Sequence, residues 1–166
     1  MSLSPSHFSG KIAMNAPIIR RNRETPWTPL APGIEMQIFH ADEKSGVWTV
    51  KIFMHAGSTL PPHKHVGASE FYIIEGQGTH KEAGDFEPGT YAYEPQDAVH
   101  SPVHAEDDIV LYMTSYGPGV FTKPSGDTLY VSDGKYMKSQ MELSPFRRAL
   151  KRFFFITVWT LFKGKK

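Results

Sequence analysis

The chain has 166 residues, the size of one domain around a single core, and its 40% hydrophobic and 13% aromatic content excludes a disordered chain. It has no cysteine, which excludes disulfides, thiolate nucleophiles and zinc–thiolate sites, so a metal must be held by imidazole and oxygen, with eight histidines available. Seven basic residues and no acid follow Glu142, which leaves −6 on the preceding chain out of a net +1; that acidic body lacks the clustered basic face a nucleic-acid partner requires.

Residues 1–24 mix Ser, Pro, Asn and Arg and read as an arm lying on the body. They show no basic stretch followed by an apolar run, and no segment approaches the roughly 18 apolar residues of a membrane span, so a cytoplasmic location is expected. From 25 to 140, short segments rich in β-branched and aromatic residues alternate with Gly, Pro, Asp and Asn, the pattern of an all-β barrel or sandwich. The expected strands are 34–40, 47–55, 70–75, 78–82, 90–94, 108–116 and 128–131. Turn signals such as Lys44-Ser45-Gly46, Glu87-Pro88-Gly89 and Gly117-Pro118-Gly119 separate them. The tail, 141–166, joins a basic stretch to the apolar run from Phe153 to Phe162. Its periodicity does not choose between helix and strand. It is too short to cross a membrane and is expected to dock on the barrel or on a second copy as a homodimer, with membrane-surface contact as the alternative.

Chemistry concentrates in two segments. In GSTLPPHKHVGASEFYIIEG, which starts at Gly57, His63 and His65 are two apart, and an extended chain points both to one side. Glu70 follows a small-residue bend that returns a carboxylate beside them. In GTYAYEPQDAVHSPVH, from Gly89, Pro95 stops a strand and Gln96 to Val99 turn the chain back before His100. His63, His65, Glu70 and His100 therefore form the expected metal-ligand set, leaving about two positions open on a six-coordinate ion. His104, Tyr72, Tyr91 and Tyr93 are the candidate contacts around it. His55 and His80 lack partner spacing and read as structural or surface histidines.

These segments resemble the two motifs of the cupins, approximately G-x5-H-x-H-x3,4-E-x6-G and G-x5-P-x-G-x2-H-x3-N. The first matches from Gly57 through Glu70, and Gly89, Pro95 and His100 match the second, with Asp97 in place of the motif glycine and His104 in place of asparagine. The resemblance implies a single-domain cupin jelly-roll β-barrel. The phrase EAGDFEPGTYAYEPQDAVH is similar to the cupins that include acetylacetone-cleaving and 2,4'-dihydroxyacetophenone dioxygenases. Members of that group use nonhaem iron and O2 to cleave a carbon–carbon bond beside a carbonyl, and carry a histidine where this chain has Glu70.

The implied function is a metal-dependent dioxygenase acting on a small β-dicarbonyl or hydroxy ketone. The implied cofactor is a divalent transition metal, foremost Fe(2+), with Mn(2+), Ni(2+) and Zn(2+) as alternatives. Two other readings stay open on the same scaffold: a metal-dependent isomerase or decarboxylase, which consumes no O2, and a non-catalytic metal- or small-molecule-binding module.

Overall fold

The computed structural model describes residues 18–123 and 125–163. The first 17 residues of the expected arm and the last lysines of the tail lie outside these. The arm's described end carries a short 3-10 helix, Asn22–Glu24, held where the buried Gln37 amide donates to the carbonyls of Asn22 and Thr25.

Fourteen strands follow: β1 Trp27–Ala31, β2 Ile34–Ala41, β3 Trp48–Met54, β4 Thr59–Leu60, β5 His63–His65, β6 Ser69–Glu75, β7 Gly78–His80, β8 Gly84–Phe86, β9 Tyr91–Glu94, β10 Val99–His100, β11 Val103–Ala105, β12 Ile109–Ser115, β13 Gly119–Thr122 and β14 Thr128–Ser132. They form a six-stranded sheet, β1-β2-β3-β12-β6-β9, and two four-stranded sheets, β10-β5-β13-β14 and β4-β11-β7-β8, all paired antiparallel. The result is a jelly-roll barrel. All seven strands expected from the sequence are present to within a residue or two. The others are short or lie beside Pro and Gly, where alternation has too few residues to register.

Period-two burial builds the interior. Along β3, Trp48, Val50, Ile52 and Met54 are buried while Thr49, Lys51 and Phe53 are half exposed. Ile34, Met36, Val50, Ile73 and Ile109 are fully buried, and each such side chain contributes about 1.5–3 kcal/mol relative to exposure. The short bend after β5 depends on Gly67, where an added Cβ would lie 2.7 Å from the Gly117 backbone. Any side chain there would push the two turns apart.

The tail is helical. Helix α1, Gly134–Met141, is capped by Asp133, whose carboxylate accepts from the Tyr136 amide, and it buries Met137 against the barrel core. Helix α2, Pro145–Lys163, lies beside β1. Two of its cations face the body: Arg152 donates to Glu35 and to the Trp27 carbonyl, and Arg148 to Thr28 and the Met141 carbonyl. Lys151 donates to Gln140, and burial pushes its ammonium down to about 8. Phe146, Leu150, Phe153, Phe154 and Ile156 face outward. Among the described residues, no helix is long and apolar enough to cross a membrane.

Candidate metal centre

Strand β5 runs between β10 and β13, with His63 directly opposite both His100 and Phe121. Alternation turns His63 and His65 into the barrel and Lys64 outward, where it pairs with Asp97 at 2.7 Å. Asp97 sits at φ 67°, the left-handed conformation that suits a glycine at this motif position. The rings of His63, His65 and His100 are 4.9–5.0 Å apart, centre to centre, and the three form a buried group that could hold one metal ion.

Hydrogen bonds select the form of the His63 and His65 rings. His63 Nδ1 lies 3.0 Å from the Pro61 carbonyl, which can only accept, so Nδ1 carries the proton and Nε2 keeps its lone pair. His65 reaches the same state through Ser69. The Ser69 hydroxyl donates to Glu94 Oε2 at 2.5 Å, so it accepts from His65 Nδ1 at 3.2 Å. The Nε2 atoms of His65 and His100 are buried with no hydrogen-bond partner. Buried ring nitrogens without partners, beside a carboxylate, suit a cation. Burial holds His63 down at about 4 and also lowers His100, so both rings are neutral, the state that ligation requires.

The structure does not bring Glu70 to these histidines. In β6, Ser69, Phe71 and Ile73 point inward, which sends Glu70 and Tyr72 to the outer face. There the Glu70 carboxylate accepts from the hydroxyls of Tyr116 and Tyr91, which hold it below the usual carboxylate range. The register pairs Ser69 with Glu94 and Glu70 with Tyr93, so the inward carboxylate belongs to Glu94. Its oxygens lie 3.1 Å from His65 Nε2 and 3.3 Å from His100 Nε2. Two donors that share an ion at metal–ligand distances near 2.1 Å stand about 3.0 Å apart at a right angle, so Glu94 meets the edge distance that Glu70 cannot. Burial alone would raise the Glu94 carboxyl; the Ser69 hydroxyl, and the His65 and His100 imidazoles whenever they are protonated, lower it.

The remaining expected contacts also fall outside. Tyr91 and Tyr93 are each 59% exposed and Tyr72 48%, because strand alternation sends them outward with Glu70. His104 lies on the outer side of β11, 2.8 Å from the Thr59 hydroxyl. His80, read as structural, is buried and lines the barrel cavity with His63, His65 and Glu94. Alternation counted from the outward Tyr91 and Tyr93 would have found Glu94. No comparable sequence signal marks His80.

The cavity measures about 80 Å³, and its other walls are apolar, among them Trp48, Phe71, Leu111 and Met113. That is room for a small molecule only.

Residues 15–120 match the family described as the ChrR Cupin-like domain. The chain is 28% identical over 103 residues to an acetylacetone-cleaving enzyme of Acinetobacter johnsonii, an overlap of 58% of this chain and 67% of that one. The crystal structure of an acetylacetone dioxygenase from the same organism superposes with a TM-score of 0.69 at 20% identity, covering 82% of this chain and 97% of that chain. An RmlC-like cupin protein from Ralstonia eutropha JMP134 gives a TM-score of 0.67 at 23% identity, over 73% of this chain and 82% of that one. At these identities the superpositions establish the fold alone.

Proposed function

The chain belongs to the ChrR cupin-like family, and from that premise we propose that it is an Fe(2+)-dependent dioxygenase cleaving a carbon–carbon bond in a small β-dicarbonyl or hydroxy ketone. The observation that carries the reading is the set of inward imidazoles of His63, His65 and His100 beside the Glu94 carboxylate, in a small apolar cavity. Similarity to an acetylacetone-cleaving enzyme supports the substrate class.

His63, His65 and His100 hold the ion, and Glu94 supplies the one buried carboxylate beside it. When bound, the ion supplies Lewis acidity that favours the enolate form of a dicarbonyl, and open positions for small ligands. A donor set of nitrogen and oxygen without thiolate suits Fe(2+), and also Mn(2+), Ni(2+) and Zn(2+). The apolar walls exclude water and favour small alkyl substituents over aryl ones. Ser69 keeps the His65 lone pair aimed inward by accepting a hydrogen bond from its Nδ1–H while donating its own hydroxyl to Glu94.

Oxygen uptake by iron-loaded protein tests the reading. Acetylacetone-sized substrates are expected to support uptake at least tenfold faster than aryl hydroxy ketones, because the cavity of about 80 Å³ is small for an aryl group. Turnover of a carbonyl compound without uptake would point to the isomerase or decarboxylase class. No turnover on the panel, with metal bound, would leave a binding module.

The outward aromatic ridge of α2 is proposed to pair with a second copy as a homodimer. Within α2, Phe146, Leu150, Phe153 and Thr157 recur at four-, three- and four-residue steps, the spacing of a helix–helix seam. Arg148 and Arg152 of this helix are turned to the body and are not available to anionic lipid. Light scattering is expected to give a dimer for the full chain and half that mass for a chain ending at Ser144. An unchanged mass after truncation would reject the pairing.

A further inference from the structure

His80 is buried at 4% exposure and projects into the barrel from β7, whose Gly78 and His80 face inward while Thr79 faces out. Its ring is 4.6 Å from that of His100 and lines the same cavity as His63 and His65. Its protonation pattern is opposite to theirs. The backbone N–H of Ala83 donates to His80 Nδ1 at 3.2 Å, so that nitrogen is an acceptor and the neutral ring carries its proton on Nε2. His80 Nε2 is buried with no partner. His80 lines an apolar cavity, and a buried N–H is costly unless something accepts from it.

Two roles compete for this residue. His80, Glu82 and His100 form a second group within reach of one ion. However, Nδ1, the His80 atom nearest Glu82 at 3.6 Å, is already engaged by Ala83, and the other Glu82 oxygen accepts from both the hydroxyl and the amide of Ser101. A ring that presents a proton to the cavity is a donor, and it recognises an acceptor atom. His63 and His65, protonated on Nδ1, keep Nε2 lone pairs, so the two kinds of histidine lining this cavity offer opposite functions, a lone pair for a cation and a proton for an acceptor.

We propose that His80 is the orienting donor of this cavity: its Nε2–H bonds a carbonyl, enolate or carboxylate oxygen of the small molecule held beside His63, His65 and His100. The inference rests on the proposed metal site and names the feature the ligand must carry, an accepting oxygen on the His80 side. An apolar ligand of the same size leaves Nε2–H unpartnered and binds more weakly. His80 is a positioning residue by this account and transfers no proton.

The test uses full-length, zinc-loaded protein, which is diamagnetic, with acetylacetone and acetate as separate probes. Long-range 1H–15N spectra are expected to show His80 protonated on Nε2 before and after zinc is added, with His63 and His65 protonated on Nδ1. Either probe should move the His80 Nε2–H resonance. His80→Leu, apolar and of similar size, should keep its zinc and bind the probes about tenfold more weakly, the loss of one hydrogen bond. His80→Gln, whose amide N–H reaches nearly the same point, should recover affinity to within about threefold. Acetate binding that depends on His80, without acetylacetone binding, would uphold this role and remove the dicarbonyl reading. A His80 nitrogen coordinated by zinc, equal affinity in wild type and His80→Leu, or no binding of either probe would overturn it.

Discussion

His65→Ala is expected to lower bound divalent metal from about one ion per chain to under a tenth of that after dialysis, and His63→Ala and His100→Ala to do the same. Each of these changes removes a buried donor from a group that could hold one ion. The discriminating comparison is between two carboxylates. Glu94→Gln should weaken metal binding roughly 10–100-fold, because it removes the anionic oxygen 3.1 Å from His65 Nε2 and the acceptor of the Ser69 proton. Glu70→Gln should leave occupancy unchanged, since Glu70 lies on the outer face bonded to Tyr91 and Tyr116. Metal analysis of the five variants decides the matter. Lost occupancy in Glu70→Gln with full occupancy in Glu94→Gln would return the ligand role to Glu70.

The second large effect is on acid stability of the metal-free protein. Burial holds the His63 imidazole at about 4 against an ordinary value of 6.5, so between those values the unfolded chain binds a proton that the folded chain does not. The His63 contribution is therefore fully present above about pH 6.5, is lost as pH falls toward 4 and is constant below. The difference corresponds to roughly 3 kcal/mol. Glu94 acts over the next interval. Its carboxyl is held at about 2 against 4.5, so its contribution is present above pH 4.5 and lost as pH falls toward 2. Urea midpoints at pH 7.5 and 4.5 are expected to differ markedly for wild type. They should differ less for His63→Phe, which keeps a ring stacked on Phe121 without a titrating group. Equal midpoints in wild type at the two pH values would contradict the burial argument. Bound metal should steepen the dependence, because protons compete for the same Nε2 lone pairs.

Much of the barrel is legible in local patterns because a strand with one face inward repeats every two residues. Trp48 to Met54 shows that period cleanly, and His63-Lys64-His65 shows it in miniature, which is enough to place two imidazoles on one side. Pro95 and the turn after it, with Asp97 in a glycine-like conformation, bring His100 opposite His63. The period does not tell which phase faces inward. Ser69-Glu70 and Tyr93-Glu94 each offer a carboxylate one residue from an alternative, and a single-residue difference exchanges the two faces. The tight bend at Gly67 against Gly117 and the pairing of β6 with β9 decide it, and those contacts are far apart in the chain.

By itself, the sequence determined an all-β chain, because alternation and turn residues act locally; the cupin family followed from the resemblance of two motifs, and the absence of cysteine left imidazole and oxygen as the donors for a metal. Tertiary structure decided which carboxylate is buried, that His80 enters the cavity, and that the tail is a helix. Phe153 to Phe162 carry residues that favour strand, but Arg148 and Arg152 find carbonyl, hydroxyl and carboxylate partners on β1, β2 and the end of α1 only when they lie one helical turn apart on one face. Such long-range partners override a weak local preference, and no window of sequence contains them.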